Sequence, residues 1–344
     1  MATDKSVKID WDQIDAEVDR RRSEILGIYK WAYDEMAKIA LKQEPIKKQK
    51  RTYSENLEFS KTRVGTAPKA EIKVPEAKKF SLPKWPDVVR GVPNGFLRSA
   101  LFGAIKKGAR RYMQGEQVVA PDGIEIRYTG QQLDQGDLDV WESVLHIVRL
   151  QEMGEQCRFT AYAMLKLLGK TDAGSNRETL HKRLMRLKAN AVEVRQGRYS
   201  YAGSLIDDVY RDSETHEYVL ILNPKLHALF AADQFTQVDW SVRHALSGKP
   251  LAQWLHGYYA SHAKPYPVNM ATLLKLAGSE DASPGSGRQT LRKALDALTD
   301  ASEANGQPFS HDIRGDLVHV EKKPSGTQGR HLAKKVSKLR KPKI

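Results

Sequence analysis

Cysteine is all but missing from this chain. Cys157 is the single one in 344 residues, which excludes an internal disulfide framework and any cysteine-rich zinc site. Long apolar runs are missing too: no stretch approaches the roughly 20 residues a helix needs to cross a bilayer. The start, MATDKSVKIDWDQIDAEVDRRRSEIL, has no apolar core of a secretory signal. There is no His-x-His pair and no GxxxxGK followed by Ser or Thr, so neither a clamp of closely spaced histidines nor an ATP phosphate loop is offered. These absences predict a soluble cytoplasmic protein that does not engage membranes, is not an enzyme, and needs no cofactor or metal. Cys157, without a supporting base, reads as a small buried residue.

Positive charge is abundant but unevenly placed. The formal net charge is +14, of which residues 38–84 supply +8 (13 Lys/Arg against 5 Asp/Glu) and residues 322–344 supply +9 (9 Lys/Arg, no acid), leaving −3 for the rest. A polyanionic partner is indicated, yet the folded parts must bind it through placed side chains. The two basic segments add salt-sensitive attraction that is blind to sequence.

A segment occurs twice. Residues 165–187 read LKLLGKTDAGSNRETLHKRLMRL, and residues 274–298 read LKLAGSEDASPGSGRQTLRKALDAL. The pattern is helix, turn, basic helix. In the first copy, Phe159, Met164, Leu165 and Leu168 are spaced for a helix, and Gly169 suits its C-cap. Ser175 or Asn176 can cap the next helix, whose Leu180, Leu184 and Leu187 form the stripe that docks on a core. Lys182 and Arg186 share a ridge away from that stripe, with Arg183 beside them and Arg177 upstream; the second copy carries Arg288, Gln289, Arg292 and Lys293. A solvated helix surface is the plain alternative for either basic face.

Each basic helix is followed by a hairpin signal. AVEVRQGRYSYAGSLI turns at Gln196-Gly197 with Arg195 and Arg198 alongside, and FSHDIRGDLVHVEKK turns near Arg314-Gly315. Three helices closed by a hairpin predict a winged helix. The expected fold class is therefore α+β: two tandem winged-helix domains related by internal duplication, with an N-terminal helical and disordered extension and a basic C-terminal tail. The boundaries read 1–44 for an amphipathic helix, 45–84 for a basic disordered linker, 85–235 for the first domain with its lead-in, 236–323 for the second, and 324–344 for the tail. Leu138, Trp141, Leu145 and Val148 make the buried stripe of a helix opening the first domain, whose sheet includes YVLILNP. A helix from about Asp239 to His262 opens the second.

WPDVVRGVPNGFLRSALFG, IEIRYTGQQLDQGDLDVW, SHAKPYPVNMATLLKLAGS and DLVHVEKK resemble, in order, parts of the TrfA family, the replication initiators of broad-host-range IncP-type plasmids. The similarity covers roughly residues 82–323. It implies binding to double-stranded iteron repeats through two winged helices and melting of an adjacent AT-rich segment, with capture of one of its single strands. It also implies recruitment of the host helicase DnaB, with DnaA, and of the polymerase sliding clamp, and a homodimer in equilibrium with an active monomer. Transferred by position, Arg177, Lys182, Arg183 and Arg186 in the first domain and Arg288, Gln289, Arg292 and Lys293 in the second are expected to read base edges. Arg195, Arg198 and Arg314 are expected on phosphate or minor groove. Imperfect clamp-binding peptides are Gln131-Gln132-Leu133 and Asn56-Leu57-Glu58-Phe59. Two other classes stay open: a tandem winged-helix transcriptional regulator, and a nicking replication enzyme. For the latter, Tyr258-Tyr259 near His262 is the nearest imitation of a nucleophile, though core packing is the expected role of these aromatics.

Overall fold

The computed structural model describes residues 81–339 apart from 106, 107, 109, 151–155, 198, 213, 216, 232 and 280–283. The expected helix over 10–44, the linker up to residue 80, the peptide at Asn56 and Arg198 therefore lie outside the described residues.

A lead-in supplies β1 (Val89–Pro93), α1 (Asn94–Leu97), β2 (Phe102–Gly103), β3 (Tyr112–Gln117), β4 (Ile124–Gln131) and β5 (Leu133–Asp134). The first unit follows as α2 (Gln135–Val148), β6 (Cys157–Thr160), α3 (Ala161–Leu167), α4 (Gly174–Lys188), β7 (Ala191–Gln196), β8 (Tyr199–Gly203), β9 (Asp208–Arg211) and β10 (Glu217–Ile221). After a 3-10 helix over Pro224–Phe230, β11 (Phe235–Asp239) leads to α5 (Trp240–Ala245) and α6 (Pro250–Ala260). The second unit continues with β12 (Val268–Asn269), α7 (Met270–Leu276), α8 (Pro284–Ala304), β13 (Phe309–Arg314) and β14 (Leu317–Lys322), and α9 (Gly326–Leu339) ends it.

The two copies share one connectivity. In the second, β12, α7, α8, β13 and β14 build a sheet of order β12-β14-β13; in the first, β6, α3, α4, β9 and β10 build a sheet of order β6-β10-β9. In both, the strand before the paired helices lies against the last strand of the hairpin. Gly169 and Gly278 end α3 and α7 at the same φ, +62°, a left-handed conformation that favours glycine and turns the chain toward the second helix.

One expectation is corrected here. The hairpin directly after α4, β7 with β8, does not close the first unit. Its outer edge pairs with β4, Ile124 opposite Gln196 through Thr129 opposite Ala191, so that it joins a separate sheet of order β3-β4-β7-β8. The alternating burial of β4, with Ile124, Ile126 and Tyr128 inward, demanded a partner of matching alternation, and Val192 and Val194 supply it. The hairpin equivalent to that of the second unit is β9 with β10.

Two apolar cores result. The first gathers Trp141, Leu145, Met164, Leu184, Leu187, Leu220 and Val238 with much of the lead-in; the second gathers Ala104 of the lead-in with Val242, Leu255, Tyr259, Leu273, Leu291, Leu295 and Val318. After the lead-in, the chain passes from the first core to the second between Val238 and Val242. The single helix expected from Asp239 to His262 is interrupted after Ala245: Gly248 has φ +83° and Pro250 starts the next helix, because proline tolerates the first turn but not an interior position. The basic tail is helical over Gly326–Leu339, anchored where Gln328 Nε2 donates to the Ala260 carbonyl at 2.7 Å.

Candidate nucleic-acid interface

Helix α4 buries Leu180, Leu184 and Leu187, the stripe read from the sequence. Its N-cap is Ala173, not Ser175 or Asn176; the Asn176 amide instead donates to Thr171 O and Oγ1, bracing the preceding turn. Arg177 and Lys182 are exposed, but each is paired: Arg177 with Asp172 by two short hydrogen bonds, and Lys182 with Glu178 one turn back at 2.6 Å. The Arg177 pairing holds the Asp172 carboxyl below the ordinary carboxylate range.

Arg186 is not on the exposed ridge, which corrects the expectation for it. Its side chain is 13 % exposed and binds the carboxylate of Asp137, itself 0 % exposed. Asp137 is there because it closes a capping box with Asp134 at the start of α2, each carboxylate accepting from the other's backbone N–H. Burial, and then the Asp134 charge, push the Asp137 carboxyl up, and a carboxylate taken out of water requires cations. Arg186 answers first. Arg110 at 3.9 Å and Arg183 at 4.0 Å stand behind it. Arg183 lies on the backbone of Gly136, where a Cβ would fall 2.0 Å from its Nη1. Both arginines thus turn toward the buried carboxylate of Asp137. The sequence did carry the signal: in the two-copy alignment they stand opposite Ala294 and Ala297, positions turned toward the body of the second unit.

Helix α8 differs. Leu291, Leu295 and Leu298 are buried, Arg288 meets Asp316 of the hairpin at 3.1 Å, and Gln289, Arg292 and Lys293 are exposed with no ion-pair or hydrogen-bond partner among the described residues. Arg292 aligns with His181, not with Arg186; His181 shares a hydrogen bond with Tyr218 Oη at 3.2 Å.

The hairpins differ as well. Arg314 projects at the β13–β14 turn beside Asp312 at 2.7 Å, with Gly315 at φ +61°. The β9–β10 turn is acidic, Asp212 accepting from the backbone of Glu214 and Thr215 and from Arg158. Arg195, expected on the first wing, sits on β7 and pairs across the sheet with Glu125 at 3.2 Å. Sequence spacing alone could not separate the two hairpins, since both follow α4.

The remaining candidates have structural places. Tyr258 and Tyr259 are core residues, Tyr258 stacked on Trp254 with centroids 4.9 Å apart. Leu133 of the Gln131–Leu133 peptide is wholly buried in β5, which removes it as an extended docking peptide. Burial pushes the Cys157 thiol up to about 11. Among the described residues no cluster of three His, Cys, Asp or Glu could hold a metal, and no helix is long and apolar enough to cross a membrane.

A feature the sequence reading missed joins the units. Arg243 of α5, 1 % exposed, donates from Nε to Asp139 of α2 at 2.6 Å and stands 3.4 Å from Glu142. Its Nη2 reaches both the carbonyl and the side-chain oxygen of Gln135, while Gln253 of α6 donates to Asp139 at 3.3 Å. Burial drives the Glu142 carboxyl up to about 7.

Comparison with known proteins identifies the family. The TrfA protein family matches residues 51–322. A plasmid replication initiator protein TrfA from Escherichia coli is 28 % identical over 262 residues, covering 74 % of this chain and 67 % of the relative. Among solved structures, domains 2 and 3 of RctB align with TM-score 0.47 at 14 % identity, over 68 % of this chain and 98 % of that one. The Pi initiator protein in complex with iteron DNA aligns with TM-score 0.40 at 13 % identity, over 54 % and 91 %. The chain belongs to the TrfA family.

Proposed function

We propose that this protein is a plasmid replication initiator whose two units are winged helices, each offering its second helix, α4 or α8, to the major groove of repeated origin sites. The observation that carries the reading is the repeated strand-helix-helix-strand-strand unit with Gln289, Arg292 and Lys293 exposed on α8 without partners among the described residues, in a chain of the TrfA family. Arginine and lysine suit guanine and glutamine suits adenine, while Arg314 at the turn of the second hairpin suits phosphate or minor groove. On this reading Arg177, Lys182, Arg288, Gln289, Arg292 and Lys293 form the reading set, while Arg183 and Arg186 turn inward to Asp137 and hold the fold that presents them.

The initiator role extends to opening an AT-rich neighbour, binding one of its strands, and engaging host helicase, DnaA and clamp. Self-association falls to the first unit, where β9 is an edge strand, Tyr210 is exposed on it and the turn is acidic. The test is selection of duplexes from a randomised library by the full chain, followed by permanganate footprinting of the selected repeats placed beside an AT-rich tract. Sequence-specific binding with unpairing of the tract is expected. Binding that leaves the tract paired under every supercoiling condition identifies a transcriptional regulator instead.

A further inference from the structure

Asp172 lies in the turn between α3 and α4, five residues before Arg177, which stands in the N-terminal part of α4. Arg177 Nε donates to Asp172 Oδ1 at 2.6 Å and Nη2 to Oδ2 at 2.7 Å. This two-pronged pairing occupies one edge of the planar guanidinium and leaves Nη1 and the second Nη2 proton for another acceptor. The turn is itself braced. Asn176 donates to Thr171 O and Oγ1, and Lys170 reaches Ser247 of the second unit at 2.8 Å.

The pair is exposed, 50 % for Arg177 and 29 % for Asp172, so it contributes little to folding. Its effect is on Arg177 itself: a side chain already held loses less freedom on meeting a ligand than a free one. The carboxylate also has a cost, because it repels phosphate wherever the helix approaches DNA. A group that weakens every approach and orients one cation is suited to selecting among sequences.

We propose that Asp172 is a positioning residue for base recognition, holding one edge of Arg177 so that the other edge meets the O6 and N7 of a guanine in a fixed orientation. This rests on the reading of α4 as a helix that enters the major groove, where side chains near the helix start meet base edges.

The test uses the full chain, a duplex selected from a randomised library, and variants of that duplex with each base pair replaced singly. Asp172→Asn is expected to lower the preference at one base pair about five-fold or more, the low end for a bidentate arginine contact. Affinity for a scrambled duplex should hold or rise, with an unchanged unfolding midpoint. Arg177→Ala should lose the preference at the same base pair, and adding Asp172→Asn to it should cost nothing further.

Loss of the preference in Arg177→Ala but not in Asp172→Asn overturns the positioning role and leaves the groove reading standing. A uniform change at every base pair in Asp172→Asn, or additive losses in the double variant, also overturns it. If Arg177→Ala keeps every preference, the groove reading of α4 fails and the positioning role fails with it.

Discussion

Helices α4 and α8 carry one sequence pattern but hold their cations differently. On α4, Arg177 and Lys182 are matched by acids of their own segment, and Arg183 and Arg186 turn inward to Asp137. On α8, alanines stand at the inward positions, and Gln289, Arg292 and Lys293 face outward without partners among the described residues. A basic residue in a repeated motif is therefore not evidence of a ligand contact until its neighbours are known. The first helix is neutralised and braced; the second is open.

The largest expected effect tests the inward half of that contrast. Arg186→Ala leaves Asp137 buried with only the more distant Arg110 and Arg183, and should destabilise the protein by about 3 kcal/mol, as breaking a buried pair does. Denaturant unfolding measures it; an undisturbed midpoint would return Arg186 to the exposed face. The outward half is tested by Arg292→Ala, expected to weaken binding to a selected duplex by about 1–3 kcal/mol through lost base preference, with stability unchanged. Equal losses on selected and scrambled duplexes would make Arg292 a phosphate contact.

Acid should separate the units in a third way. Burial holds His256 near 3 and His262 near 4, and lowers His244 as well. Each of these second-unit histidines contributes stability that is present above the ordinary value of 6.5 and is lost as pH falls toward the folded value, most steeply for the fully buried His256, at up to about 1.4 kcal/mol per pH unit. The first unit has His146 near 4 but also Glu142 near 7, and a raised carboxyl works the other way, adding stability as pH falls from 7 toward 4.5. Hydrogen exchange at pH 7 and pH 5 should show the second unit losing more protection than the first, and Glu142→Gln should narrow that gap. The smallest effect is that of Lys182→Ala, which removes one exposed pair a helical turn apart and should leave the denaturant midpoint unchanged.

What was legible in the sequence was local. The leucine stripe of α4, the helix-ending Gly169, and the residues of α2 and β10 followed from spacing and turn chemistry. What was not legible depended on contacts distant in sequence: Asp137 meeting Arg186, β4 pairing with β7, and Arg243 meeting Asp139. The pairing of β4 with β7 moved Arg195 from a wing to a sheet face. Two signals were present but unread, the Gly248-Lys249-Pro250 break and the alanines opposite Arg183 and Arg186.

The Arg243 cluster sets a length. A guanidinium enclosed by two carboxylates and two glutamines cannot be drawn out without stranding charge in an apolar place, so the units have no inexpensive hinge at this point. On the proposed reading of α4 and α8, the protein then works as a gauge with fixed jaws. The spacing of the two sequence blocks that those helices would read is cut into the protein, and base pairs inserted between the blocks would have to be accommodated by twisting or bending the duplex, whose stiffness makes the tolerance narrow.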